Sequence, residues 1–207
     1  MSNTSLIPVE VSKQREMIMY SELWHAGNCV LEQARINQEG ASWQFLSAIL
    51  LTAFAFEAYQ NHVGPSLFAH WSHLDRLPPR AKLDLIIDRL EIKLPNAKSG
   101  RPWQSIRDLF DFRNTIAHGR SKQLDHTEIK NTTNYHDALN GELLDDWELR
   151  IKDDKFVLRC RQDVETVLRL IHEQLPEPKE ALFTFGMGLN GVTVLDCLIS
   201  PRQPDLQ

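Results

Sequence analysis

The chain has 207 residues, of which 42% are hydrophobic and 25% are charged, and its formal net charge is −5. This length suits one domain with a substantial core, and the composition excludes a largely disordered protein. The net negative charge also excludes an overall positive field for nucleic acid, so any contact with RNA requires a local basic patch.

The cysteine and histidine patterns give little support to a metal site. Cys29, Cys160 and Cys197 are far apart and odd in number, which excludes paired zinc ligands and a disulfide framework. The apolar neighbours of Cys29 and Cys197 predict buried thiols. His70 and His73 have helical ligand spacing but lie in a segment that reads as a loop or short turn. We expect surface histidines there, and neither a metal nor another cofactor.

No segment of the chain has the pattern of a membrane or secretion signal. The first 14 residues lack the apolar region of a signal peptide. The longest apolar run, residues 45–56, is too short and too interrupted to span a bilayer. We therefore expect a cytoplasmic protein with no membrane partner.

Four helices are predicted in the first 120 residues. They span 16–36, 42–63, a stretch that begins near residue 80, and 103–117. Residues 45–59 are apolar on nearly every side, which predicts that the second helix is central and buried. We expect Gly64 and Pro65 to end this helix, and Gly119 to cap the fourth one.

The second half of the chain is less regular. Residues 121–141 are polar and predict an exposed loop, while the alternating pattern of 147–152 and 155–160 predicts a β-hairpin. Residues 163–175 predict a last amphipathic helix, and the apolar tail fits a strand as well as a helix. The prediction is a mainly α bundle with a small β-hairpin insertion, forming one domain over residues 1–207.

The fourth predicted helix carries an arginine on its apolar face. At about 100° per residue, one stripe of this helix contains Ile106, Leu109, Phe110 and Ala117. Arg113 lies in the middle of that stripe, where a guanidinium is costly unless it is paired or faces a polar cleft. Glu57, in the buried second helix, is a lone carboxylate that needs a counter-charge. We expect Glu57 and Arg113 to form an ion pair between two core helices.

His118 follows at the end of the same helix. On an ideal helix it lies about 140° from Arg113, so the two side chains do not point together. Two arrangements would reconcile them. Either the helix ends at Ala117 and frees His118 to turn, or two chains pair so that Arg113 of one meets His118 of the other.

Arg113, four intervening residues and His118 form an Arg-x4-His motif, with the polar Asn114 directly after the arginine. The motif closes a late amphipathic helix, and a buried helix that carries Glu57 precedes it. In these features the chain resembles the HEPN superfamily, small all-helical domains whose signature is an arginine, four to six residues and a histidine. The resemblance covers residues 16–120; beyond it, a last helix could close the bundle.

The resemblance implies a function and roles for the motif residues. Many members of the superfamily resemble metal-independent endoribonucleases, and some are toxins or abortive-infection effectors. It implies His118 as the catalytic base or acid, Arg113 as the phosphate clamp and Asn114 as an orienting or phosphate-binding donor, with Glu57 in support. It also implies a homodimer whose two motifs line one groove, with RNA as substrate and a cognate antitoxin as a candidate partner.

A loose basic cluster precedes the motif. It comprises Lys93, Lys98, Arg101 and Arg107, together with Trp103. Arg101 and Arg107 are candidate phosphate contacts, and Trp103 is a candidate for stacking on a base. The alternative is an ordinary solvated surface.

Three functions remain open from the sequence. The leading hypothesis is a metal-independent endoribonuclease that cleaves RNA by attack of the 2′-hydroxyl. The main alternative is a non-catalytic HEPN-type interaction module, in which Arg113 and Glu57 are structural and His118 caps the helix. A third is a nucleotide- or RNA-binding module that uses the motif as a phosphate site.

Overall fold

The computed structural model describes residues 7–93, 100–177 and 180–195. The helices are α1 (Met19–Ile36), α2 (Ala41–Leu67), α3 (Trp71–Leu74), α4 (Pro79–Arg89), α5 (Trp103–Ala117), α6 (Tyr135–Ala138), α7 (Asp146–Arg150) and α8 (Lys155–Glu173). The strands are β1 (Val9–Arg15) and β2 (Gly188–Val194), which form an antiparallel pair. This confirms the predicted mainly α fold with a small two-stranded sheet.

The chain divides into two compact units. In the described part of the chain, the first comprises residues 7–18 and 185–195 and contains the sheet, in which Val9 lies opposite Val194 and Arg15 lies opposite Gly188. The second comprises residues 19–184 and contains the helices named above. The predicted single domain over residues 1–207 stays a prediction.

The predicted position of the hairpin is wrong. Its first arm, 147–152, overlaps the short helix α7, and its second arm, 155–160, is the first part of α8. The Asp145 side chain accepts a hydrogen bond at the start of α7, while Glu148 Oε2 accepts one from Asp145 N at 2.8 Å. This reciprocal capping box is a helix-start signal, which the alternating apolar pattern had obscured.

Helix α8 begins at Lys155 rather than at residue 163. Its buried apolar residues recur at the three- and four-residue spacing of one helical face, namely Phe156, Val157, Cys160, Val164, Val167, Leu168 and Ile171. Asp153, which lies between the two arms of the predicted hairpin, accepts a hydrogen bond from Lys155 N at 3.0 Å. An acidic side chain at this end of a helix is favourable because it faces the positive end of the helix dipole.

The central helix α2 packs against α1, α4, α5 and α8. It continues to Leu67, so the prediction that Gly64 and Pro65 end it is wrong. Gly64 serves packing instead, because the ring of Trp71 occupies the space that a side chain at position 64 would need. Among the described residues, α2 is the one helix whose length and composition would let it cross a membrane. Within its apolar stretch of 18 residues, 44% is buried inside the protein. The cytoplasmic location stays a prediction.

A buried arginine links α1, α2 and α8. Arg161, on α8, is 5% exposed and donates hydrogen bonds to Thr52 Oγ1, Asn28 Oδ1 and the Trp24 carbonyl. Its guanidinium carbon lies 4.0 Å from the centre of the Trp24 ring, in a cation–π arrangement. Burial lowers the pKa of Arg161 to about 10. Gly27 allows this approach, since a Cβ there would lie 2.7 Å from an Arg161 nitrogen.

Two cysteines are found in the described residues. Cys29 is exposed, so the prediction that it is buried is wrong. Cys160 is buried in α8, and burial raises the pKa of its thiol to about 12. Cys197 lies outside the described residues.

We expect Gly64→Ala to lower the free energy of unfolding by about 1–3 kcal/mol, because the added methyl group overlaps the Trp71 ring. Urea denaturation followed by far-UV circular dichroism measures this. Gly119→Ala is the matched control, since its Cβ would come no closer than 3.3 Å to Thr115 O. A loss in Gly64→Ala no larger than in the control contradicts the packing role.

Candidate functional site

Helix α5 has the predicted bounds, Trp103–Ala117. Ile106, Leu109 and Phe110 on its predicted apolar stripe are buried, with at most 3% exposure. Ala117 is exposed, so the prediction that it belongs to the same apolar face is wrong, and the buried part of the stripe ends before the last turn. Arg113 lies at the transition, with 28% of its side chain exposed.

The expected contact between Glu57 and Arg113 is present. Arg113 Nη2 donates to Glu57 Oε2 at 3.4 Å, and 27% of the Glu57 side chain is exposed. The other terminal nitrogen, Nη1, donates to Asn114 Oδ1 at 3.1 Å. The Arg113 guanidinium carbon also lies 5.9 Å from the centre of the Phe54 ring. Three neighbours therefore hold the guanidinium at the surface.

A buried lysine, which is not among the predicted site residues, completes this arrangement. Lys82, on α4, is 0% exposed, and its Nζ donates to Glu57 Oε1 at 3.3 Å. It also donates to Asn61 Oδ1 at 3.0 Å and to the Asp75 carbonyl at 3.3 Å. Glu57 thus bridges a buried cation and a half-exposed one. The signal was available, because Lys82 lies four positions before the buried Ile86, on the inner face of α4.

His118 is the C-cap residue of α5. Its backbone has φ −110° and ψ 15°, and its N–H donates to the Asn114 carbonyl at 2.9 Å. The helix therefore ends at Ala117, which is the single-chain alternative considered from the sequence. The predicted glycine cap is wrong, because Gly119 lacks the left-handed backbone that this cap requires, although its N–H bonds to the Ile116 carbonyl at 3.3 Å.

Two neighbouring cavities share His118. The smaller one has a volume of about 340 Å³ and is lined by Leu50, Phe54, Arg113, Ile116, Ala117 and His118. The larger one, about 720 Å³, includes Asn114 and His118 among its lining residues. One chain therefore brings Arg113 and His118 to one cavity, and Asn114 and His118 to the next.

The basic cluster is not a continuous free surface. Trp103 is buried, with 6% exposure, so its predicted stacking on a base is wrong. Arg101 is paired with Asp163, at 2.7 Å from Nε and 2.8 Å from Nη2. The hydrogen bond from Arg101 to this carboxylate raises the pKa of the guanidinium. Arg107 is half-buried on α5, and Lys98 lies outside the described residues.

The histidine pair proposed as a weak metal alternative gains no further ligand. The ring centres of His70 and His73 lie 6.3 Å apart. Within residues 7–93, 100–177 and 180–195, no group of three or more His, Cys, Asp or Glu side chains could hold a metal ion. The absence of a metal cofactor stays a prediction.

Comparison with protein-family models, curated proteins and solved structures finds no match to this chain. The assignment to the HEPN superfamily stays a prediction, and the site must be judged from its own geometry.

That geometry combines a fixed cation with an exposed imidazole. An arginine held by a carboxylate can stabilise charge that develops on phosphate oxygens. An exposed imidazole can take or give a proton without a metal. Together they suit proton transfer at a phosphodiester.

We expect Glu57→Gln to lower the free energy of unfolding by about 2–4 kcal/mol, because it leaves the fully buried Lys82 ammonium without its counter-charge. Thermal and urea unfolding measure the loss. Arg113→Gln is the matched single change at the same ion pair, and we expect a loss of only about 1 kcal/mol since Glu57 retains Lys82.

The double variant Glu57→Gln/Lys82→Met removes both charges and isolates this cause. We expect it to be more stable than Glu57→Gln alone. Equal or lower stability of the double variant contradicts the view that Lys82 depends on Glu57.

Proposed function

We propose that this protein is a metal-independent endoribonuclease of the HEPN type, with Arg113, Asn114 and His118 as its catalytic residues. The observation that carries the proposal is the shared cavity of Arg113 and His118 at the open end of α5. The carboxylate of Glu57 supports it, because this side chain fixes Arg113 without covering it.

The reaction follows from these groups. A neutral His118 takes the proton of the 2′-hydroxyl, whose oxygen then attacks the adjacent phosphorus. The bond from phosphorus to the 5′-oxygen breaks, and imidazolium or water returns a proton to that oxygen. Arg113 stabilises the charge on the non-bridging oxygens. Asn114 donates a hydrogen bond to the phosphate through its amide NH2 group, since its Oδ1 already accepts a hydrogen bond from Arg113. The products are a 2′,3′-cyclic phosphate and a 5′-hydroxyl.

The proposed active form is a homodimer. The smaller cavity is open and mostly apolar, with Phe54 41% exposed beside Arg113. A second copy that covers this face would exclude water and place two motifs in one groove. The role as a toxin or defence effector, with a cognate antitoxin as partner, rests on the sequence resemblance alone.

A non-catalytic interaction module is the second candidate. The observation that favours it is the structural use of Glu57, which neutralises the buried Lys82 as well as contacting Arg113. In this case the motif would stabilise the bundle and leave His118 as a helix cap.

We expect wild-type protein to cleave a mixed RNA pool in the presence of EDTA and to leave cyclic phosphate ends. His118→Ala should lower the rate by about 10²–10⁴-fold through loss of the proton acceptor. Arg113→Ala should lower it by about 10²–10³-fold through loss of charge stabilisation. Gel analysis of end-labelled RNA and end-group mapping by mass spectrometry measure both effects.

His126→Ala is the matched control, because His126 is an exposed histidine outside both cavities and 59% of its side chain is accessible. Circular dichroism checks that every variant is folded. Cleavage that persists in folded His118→Ala, or that requires a divalent metal, overturns the proposal. No cleavage by wild type at high concentration favours the interaction module.

We expect Phe54→Asp to shift a dimer to monomer and to lower RNA cleavage at least about tenfold, because it puts a charge into an apolar contact. Analytical ultracentrifugation measures the mass. Ile36→Asp is the control, since Ile36 is 76% exposed at the end of α1 and lines neither cavity. A wild-type monomer with full activity excludes the homodimer.

A further inference from the structure

We infer that the larger cavity at the end of α5 binds the nucleobase next to the scissile phosphate and prefers a base with an exocyclic amino group. The choice of a nucleotide as ligand rests on the proposed function. The cavity itself is a separate observation. Its volume of about 720 Å³ lies in the range of small-molecule sites, about 300–1,000 Å³.

The cavity has an apolar part that fits a flat ring. It is lined by one apolar or aromatic residue from each of three helices, Leu46 of α2, Ile116 of α5 and Trp147 of α7. Leu124, from the segment between α5 and α6, also lines it. Trp147 and Leu46 are half-buried, so both are partly accessible from the cavity. Bases stack on aromatic side chains in this way, largely independently of sequence.

The cavity also has a polar part that fits a phosphate. His118 and Asn114 line it, and both belong to the proposed catalytic centre. Arg120 adds an exposed cation two positions after His118. A base in this cavity would therefore have its phosphate close to the groups that act on it.

Two carboxylates line the cavity, and both are already engaged. Asp145 Oδ2 lies 2.6 Å from Lys122 Nζ, and this hydrogen bond lowers the pKa of the Asp145 carboxyl. Glu148 Oε2 accepts from Asp145 N. Lys122 offsets one negative charge, so an anionic ligand is tolerated. Carboxylate oxygens accept hydrogen bonds from the exocyclic amino groups of bases such as cytosine. Uracil has no such amino group.

The test is isothermal titration with cytidine 3′-monophosphate, uridine 3′-monophosphate and inorganic phosphate. We expect the cytidine nucleotide to bind about tenfold more tightly than phosphate, and more tightly than the uridine nucleotide. Leu124→Trp fills the cavity and should weaken the cytidine nucleotide about tenfold. Trp147→Ala removes the stacking surface and should do the same.

Leu139→Trp is the control, because Leu139 is also an exposed leucine of the polar segment but does not line the cavity. It should bind like wild type, and it also shows that an added tryptophan is tolerated. The inference is overturned if the nucleotides bind no better than phosphate. It is also overturned if the cytidine nucleotide binds equally well to Leu124→Trp and Leu139→Trp. A preference for uridine overturns the role of the carboxylates.

The two proposals fail separately, because a mononucleotide has no internucleotide bond to cleave. Nucleotide binding without RNA cleavage supports the pocket and contradicts the ribonuclease. RNA cleavage without nucleotide binding, and with the same cleavage positions in Leu124→Trp, supports the ribonuclease and overturns the pocket.

Discussion

The site depends on the two ion pairs that the Glu57 carboxylate makes. This carboxylate bonds to Lys82, which has no exposure to water, and to Arg113, which is partly exposed. A buried ammonium is costly without a counter-charge, so we expect Glu57 to stabilise the packing of α2 against α4. Because the same carboxylate has a second oxygen, it also orients Arg113 at the edge of the core. Stability and the position of the cation are thus coupled through one side chain.

The end of α5 determines how the motif can work. An uninterrupted helix would separate Arg113 and His118 by about 140°. The helix ends at Ala117, and the residues Arg113 and His118 line one cavity of the same chain. A second copy is therefore not required to bring the two residues to one cavity. In the proposed dimer, its contribution would be to cover the apolar face and exclude water.

Much of the helical framework could be predicted from apolar periodicity, including both bounds of α5 and the pairing of Glu57 with Arg113. The errors have local physical causes. The alternation in 147–152 fits a strand as well as a short helix, and the capping box from Asp145 to Glu148 decided the outcome. The basic residues near Trp103 predicted an exposed aromatic ring, but Trp103 is buried. The helical spacing of Lys82 and Ile86 places the lysine on the inner face of α4, but its pairing with Glu57 is a tertiary contact that the sequence does not show. The cavity beside His118 depends on a long polar segment whose path has no periodic signal.

The residues that surround the Arg161 side chain constrain how the sequence can change in evolution. A side chain at position 27 would displace this guanidinium from its observed place, where it contacts Thr52 and Trp24 from two other helices. A change at any one of these positions removes a partner or fills the space, so we expect substitutions there to occur together. Homologous chains should therefore show either the whole set or an entirely apolar replacement of it. Such joint variation would trace the ancestry of the bundle independently of the motif on α5.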